Sequence, residues 1–207
     1  MITHERAKEL MLEAFKVAQN STCARRRVGA VIADQEGNIV STGWNHHMKN
    51  KESCESVFFR EYLHRADIRL SENMDYFVSV LLNETPATAH ATYKELLTST
   101  EVALWEKFLE YTKTPEFKQE HKEYQNREVH SELSAILNAY AAGKSVANCI
   151  IFSSRSPCVA CAHAIAEAGL SKCYYTEKSD AGSLGVPLLS QYIDTEHLEL
   201  EEVPYWT

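Results

Sequence analysis

Apolar side chains recur at helical spacing almost from the first residue: Ala7, Leu10, Met11, Ala14, Phe15 and Ala18 predict an amphipathic helix over Thr3 to Gln19. The period then changes. Arg27 to Ala33 and Asn38 to Gly43 are short apolar runs separated by the turn-forming Asp34-Gln35-Glu36-Gly37, and they predict a β-hairpin. Glu128 to Ala142 returns to helical spacing and stops at Gly143. Beyond it the pattern predicts a strand over Asn148 to Ser153, a helix from Cys158 to Ala168 ended by Gly169, and a strand over Lys172 to Tyr175. A helix near Leu184 to Tyr192 and a last strand near Leu198 to Val203 complete the series. Such alternation implies an α/β sheet covered by helices.

Between Lys49 and Arg127 the pattern becomes a long, charged, helix-forming stretch with breaks at Thr85-Pro86 and Thr114-Pro115. It reads as a helical insertion, residues 49–127, in a single domain of residues 1–207 whose core is residues 1–48 and 128–207. Phe58, Phe59, Tyr62, Tyr76, Phe77, Trp105 and Phe108 are expected to pack as its core.

Composition narrows the function. The chain has 29 acidic and 21 basic residues and a net charge of -8, which argues against charge-driven binding to an extended nucleic acid. Met1 to Leu10 is polar and helical, and no apolar run reaches the length of a membrane span, so a soluble, cytoplasmic protein without a membrane partner is expected. The 6 cysteines are too few for a disulfide scaffold at this length and are expected as thiols or metal ligands. Cys149 and Cys173 sit in apolar runs and are expected as small buried hydrophobes.

The chemistry concentrates elsewhere. In Ser156-Pro157-Cys158-Val159-Ala160-Cys161 two thiols meet at a predicted helix start, where the helix favours thiolate. Alone, that spacing fits a redox pair, half of a structural zinc site or part of a catalytic one. His130-Ser131-Glu132 supplies a third ligand at another predicted helix start, and H-x-E followed by P-C-x-x-C is the signature of zinc deaminases. His130, Cys158 and Cys161 are the expected zinc ligands, leaving a fourth position for water, and Glu132 is the expected proton carrier. The competing reading is a closed structural site, which needs a fourth protein ligand.

On these residues the chain resembles the cytidine and deoxycytidylate deaminase superfamily, most closely its phage-type dCMP deaminases. The likeness extends to Val28-Gly29-Ala30-Val31, Ser41-Thr42-Gly43-Trp44-Asn45, and Ala166 to Tyr175. It implies a cytidine deaminase-like three-layer fold, a five-stranded mixed sheet flanked by helices. It also implies zinc between two helix starts, hydrolysis of dCMP to dUMP and ammonia in pyrimidine deoxynucleotide metabolism, and a homo-oligomer, hexameric in the family. Where the family commonly has G-Y-N-G, this chain has Gly43-Trp44-Asn45-His46, and Ser134 stands where an Asn is common in the helix after the catalytic Glu.

Phage members can carry a second zinc. The resemblance assigns it here to Cys23, Cys54, His121 and Glu128; the last two share a face if one continuous helix carries both. For the nucleotide, Asn45 suits a sugar hydroxyl or base edge, Arg26 or Arg27 a 5′-phosphate, and Val28 and Ala30 a base pocket. The plainer reading of Arg25 to Arg27 is solvated surface. Three functions compete: a deaminase of dCMP or a 5-substituted relative, a tRNA or polynucleotide deaminase, and a non-enzymatic zinc module that binds a protein.

Overall fold

Thr3 Oγ accepts the Arg6 N–H and so starts helix α1, His4–Ala18, which keeps its Ala7, Leu10, Met11, Ala14 and Phe15 stripe buried. The computed structural model to which this helix belongs describes residues 2–48, 51–122, 128–179 and 182–201. The boundary residues Lys49 and Arg127 of the predicted insertion, and Val203 of the predicted last strand, lie outside the described residues. Contacts divide the chain into two compact units: residues 1–19, 28–45 and 129–207, and residues 20–27 and 46–128. The second unit thus takes in residues 20–27 as well as the stretch predicted as an insertion.

In the first unit, strands β1 (Gly29–Ala33) and β2 (Ile39–Trp44) form the predicted hairpin. β5 (Ile150–Arg155), β6 (Lys172–Glu177) and β7 (Asp194–His197) complete a sheet of order β2-β1-β5-β6-β7. The β2/β1 and β1/β5 pairs are antiparallel, while β5/β6 and β6/β7 are parallel, so the five-stranded sheet is mixed. The parallel half needs crossovers, which α9 (Val159–Glu167) and α10 (Gly182–Leu189) supply.

Alternation along the strands sends residues to opposite faces. Val31, Ala33, Ile150 and Phe152 pack with α1, whereas Ala30, Ile32 and Ile151 pack with α8 (Ser131–Ala141), α9 and α10. A Cβ on Gly43 would lie 2.2 Å from the Ala135 amide nitrogen, so only glycine lets α8 approach β2 this closely. At the other end of α8, Gly143 takes φ +67° and the chain reverses, with the Lys144 N–H donating to the Ala139 carbonyl at 2.9 Å.

Two expectations are corrected here. Glu128–Val129 is a two-residue strand, β4, and α8 begins only at Ser131, because His130 takes the extended backbone of an N-cap. The last strand is Asp194–His197 rather than Leu198 to Val203. Leu198 and Leu200, which carried the apolar signal, pack with the α1 face beyond the strand's end.

The second unit holds β3 (His46–His47) and α2 (Cys54–Arg65), α3 (Glu72–Tyr76), α4 (Leu82–Glu84), α5 (Pro86–Leu96), α6 (Ser99–Tyr111) and α7 (Pro115–His121). Both predicted breaks are helix starts, with Pro86 and Pro115 in the first turn, where a missing N–H costs nothing. Thr98 and Glu101 add a capping box to α6. Phe77–Leu81 is π-helical, and Asn83 Nδ2 donates to the Val78 and Ser79 carbonyls at 3.0 and 3.1 Å, taking up acceptors that the widened turn exposes. Phe58, Phe59, Phe77, Trp105 and Phe108 are buried as expected, joined by Phe117, whereas Tyr76 is 50% exposed and lies outside that core.

Candidate metal centres

Cys158 is the N-cap of α9 and His130 the N-cap of α8, so two helix starts in the first unit turn their side chains toward one point. His130 Nδ1 lies 3.4 Å from Cys158 Sγ and 3.4 Å from Cys161 Sγ. Tetrahedral zinc, with Zn–N near 2.0 Å and Zn–S near 2.3 Å, sets nitrogen and sulfur about 3.5 Å apart, so the donor set and its spacing fit that metal. Cys161 is buried, Cys158 half-buried and His130 exposed, which leaves the trio accessible from the imidazole side.

The two thiols titrate apart. A hydrogen bond from Cys161, aided by His130 and the backbone and opposed by burial, lowers Cys158 to about 3. The same bond, with burial and the neighbouring Glu132 carboxylate, pushes Cys161 up. A thiolate is therefore ready on Cys158 at neutral pH, as metal capture requires.

Glu132 sits in the first turn of α8, 4% exposed. Its Oε1 accepts from Ser153 Oγ at 3.3 Å, and its Oε2 accepts from Ser131 Oγ at 3.0 Å and lies 3.4 Å from Cys161 Sγ. The carboxylate is thus held by two hydroxyls beside the trio. Sequence reading missed both serines. The signal for Ser153 was a polar residue at the end of the apolar run Ile150-Ile151-Phe152.

A second cluster lies wholly in the other unit. One ligand atom each from Cys23, Cys54, His121 and Glu128 falls within 4.8 Å of the others. Cys23 Sγ is 3.7 Å from His121 Nε2, which is 3.7 Å from Glu128 Oε1, and Cys54 Sγ lies 3.3 Å from that oxygen. The route differs from the expected continuous helix: α7 ends at His121, and Glu128 stands on β4. Cys23 is held well below the ordinary thiol range by the Cys54 hydrogen bond and His121 against its burial; burial and Cys23 push Cys54 well up. Four donors, two of them sulfur, fit a closed zinc site.

The expected nucleotide contacts are placed less uniformly. Asn45 Oδ1 accepts the Val28 N–H at 2.7 Å and its N–H donates to the Val28 carbonyl at 3.0 Å, so Asn45 locks the start of β1. Val28 is half-buried and Ala30 is fully buried on the α8 face. Arg26 is exposed. Arg27 donates to Glu55 Oε1 at 3.2 Å, and His90 Nε2 lies 3.0 Å from Glu55 Oε2, so Arg27 belongs to a buried ionic network that the sequence did not reveal. Cys149 and Cys173 are buried in the core as expected. Among the described residues no helix is long and apolar enough to cross a membrane.

Residues 4–177 match the protein family described as the cytidine and deoxycytidylate deaminase zinc-binding region. The chain is 29% identical over 181 residues to the deoxycytidylate deaminase of Enterobacteria phage T2, covering 87% of this chain and 84% of that one. With the deoxycytidylate deaminase of Enterobacteria phage T4 it shares 28% identity over 181 residues, 87% of this chain and 82% of the other. Its fold is similar to that of the apo dCMP deaminase from the cyanophage S-TIM5, with a TM-score of 0.55, 19% identity, and 95% and 99% of the two chains covered. The complex of that cyanophage protein with dCMP and dUMP gives a TM-score of 0.57 at 20% identity over the same shares.

Proposed function

The chain belongs to the cytidine and deoxycytidylate deaminase family, and from that premise we propose that it hydrolyses dCMP, or a 5-substituted relative, to the corresponding dUMP and ammonia. The observation that carries this reading is the buried Glu132 carboxylate, 3.4 Å from Cys161 Sγ and so beside the metal-binding trio. The phage relatives named for deoxycytidylate deamination support the substrate. His130, Cys158 and Cys161 would hold the catalytic zinc. Bound there, zinc supplies the Lewis acidity that brings a water's pKa toward neutrality.

The chain's own residues move the protons. Glu132 takes one proton from the attacking water and delivers it to the ring nitrogen N3 as oxygen bonds to C4. It then carries the second water proton to the 4-amino group, the C4–N bond breaks and ammonia leaves. Ser131 and Ser153 keep the carboxylate aimed through both transfers.

Cys23, Cys54, His121 and Glu128 would hold a second, structural zinc, for which four ligands leave no position for water. The chain would then act as one deaminase with a helical insertion, as a cytoplasmic homo-oligomer. The deciding assay follows ammonia release from dCMP, 5-methyl-dCMP, CMP, deoxycytidine and a tRNA hairpin. Turnover of dCMP far above the rest is expected. Efficient turnover of the hairpin replaces this reading with a polynucleotide deaminase, and no turnover of any of them leaves a zinc module.

A further inference from the structure

A cavity of about 420 Å³ in the second unit is walled by Cys54 and Glu128, together with His47, Met48, Lys51 and Val57. Two ligands of the four-residue cluster therefore line this cavity, Glu128 as the more open of them and Cys54 only 3% exposed. Cys23 and His121 are not on that wall: Cys23 is buried, and the His121 ring, 1% exposed, packs beside the touching Phe58 and Phe117 rings with centroids 5.6 and 5.7 Å away. The cluster has a sealed aromatic back and an accessible front.

The two ligands at the front are not equivalent. Cys54 Sγ is held by the main chain, accepting the Ala24 N–H at 2.9 Å. The Glu128 side chain is 10% exposed against 1% for His121, and a carboxylate is the hard ligand in a set otherwise suited to a softer metal. We propose that the four-ligand centre exchanges its divalent metal through this cavity without unfolding, with Glu128 as the ligand that opens. This rests on the reading of Cys23, Cys54, His121 and Glu128 as a zinc site. Lys51 is the one lysine or arginine among the described residues of this wall, beside the Glu128 carboxylate and a Glu52 that is paired with Arg60, so an anionic chelator that enters the opening does so against Lys51.

The test uses full-length protein carrying Cys161→Ala, which removes a ligand of the catalytic trio and leaves the second site as the zinc carrier. Zinc release is followed into excess neutral phenanthroline and into anionic EDTA, with circular dichroism recorded alongside. Release is expected much faster than global unfolding, with the dichroism unchanged. Val57→Phe, which fills the cavity, should slow it several-fold with either chelator at unchanged zinc content. Lys51→Glu should slow release into EDTA and leave release into phenanthroline alone, and it decides the matter by itself where Val57→Phe does not fold. Release that waits for unfolding, or that the folded variants do not alter, overturns the proposal. Cys161→Ala protein that binds no zinc while folded overturns the four-ligand reading instead.

Discussion

Ser153 Oγ on β5 donates to Glu132 Oε1 on α8 at 3.3 Å, tying the strand that leads toward Cys158 to the helix that follows His130. The hydroxyl fixes where the carboxylate points, and the carboxylate is asked to take and give protons. Glu132→Gln is expected to keep zinc and lose activity by at least about 100- to 10,000-fold, the range for one acid-base group. Ser153→Ala should lower kcat by about tenfold, the equivalent of one hydrogen bond near 1.5 kcal/mol, with KM and zinc content unchanged. Glu132→Gln protein with near-normal turnover removes the mechanism.

Gly43 on β2 faces α8 so closely that a methyl group there would meet the Ala135 amide nitrogen at 2.2 Å and the Ser131 carbonyl at 2.6 Å. Both contacts are backbone, which cannot swing aside. Gly43→Ala is therefore expected to cost about 1 to 3 kcal/mol as overpacking, and to displace the helix turn that carries Glu132. Thermal melting checks the first effect. Activity measured well below the melting point checks the second: a variant destabilised but fully active when folded would show that α8 relaxes without moving its carboxylate.

These sites were unevenly legible in the sequence. His130, Glu132, Cys158 and Cys161 stood out because their short spacings carry the chemistry, and α1 because its apolar period is unbroken. β7 did not stand out. Its Asp194-Thr195-Glu196-His197 is polar because it pairs with β6 along one edge only, and Lys172 holds Asp194 and Glu196 at 2.8 and 2.7 Å. The β4 strand was read as helix because two residues show no period. Glu55 looked like any charge on a solvated helix, since its partners Arg27 and His90 lie 28 and 35 residues away in the chain.

Glu55 ties stability to pH. Burial pushes its pKa up, but the charges of His90 and Arg27 outweigh burial and leave it below the ordinary 4.5. As pH falls, the unfolded chain takes the proton first. The network's contribution is therefore complete above about pH 4.5 and is lost as pH drops through the lower folded-state value. Glu55→Gln should destabilise the protein at pH 7 by about 3 to 5 kcal/mol, because Arg27 is left without its buried counter-charge. Denaturant titrations of both proteins between pH 3 and pH 7 should show the gap closing at the acid end. A gap independent of pH would mean that packing, not charge, is what Glu55 provides.

Arg26 and Arg27 adjoin in sequence but differ in what their loss should do. Arg27 is engaged by Glu55 at 3.2 Å with its side chain only 14% exposed, whereas Arg26 is exposed. If a 5′-phosphate is gripped by this run, each good charge-assisted bond contributes about 1.5 to 3 kcal/mol, at least tenfold in kcat/KM. Arg26→Ala should then raise KM for dCMP by about tenfold or more, with zinc content and weak turnover of deoxycytidine unchanged. Arg27→Ala should lower the melting temperature as well, since it strands Glu55 in the interior, and pairing it with Glu55→Gln should restore part of that loss. The unmodified protein must also use dCMP far better than deoxycytidine. Equal efficiency on the two would show that no phosphate is read, and Arg26 would then be a solvated surface residue.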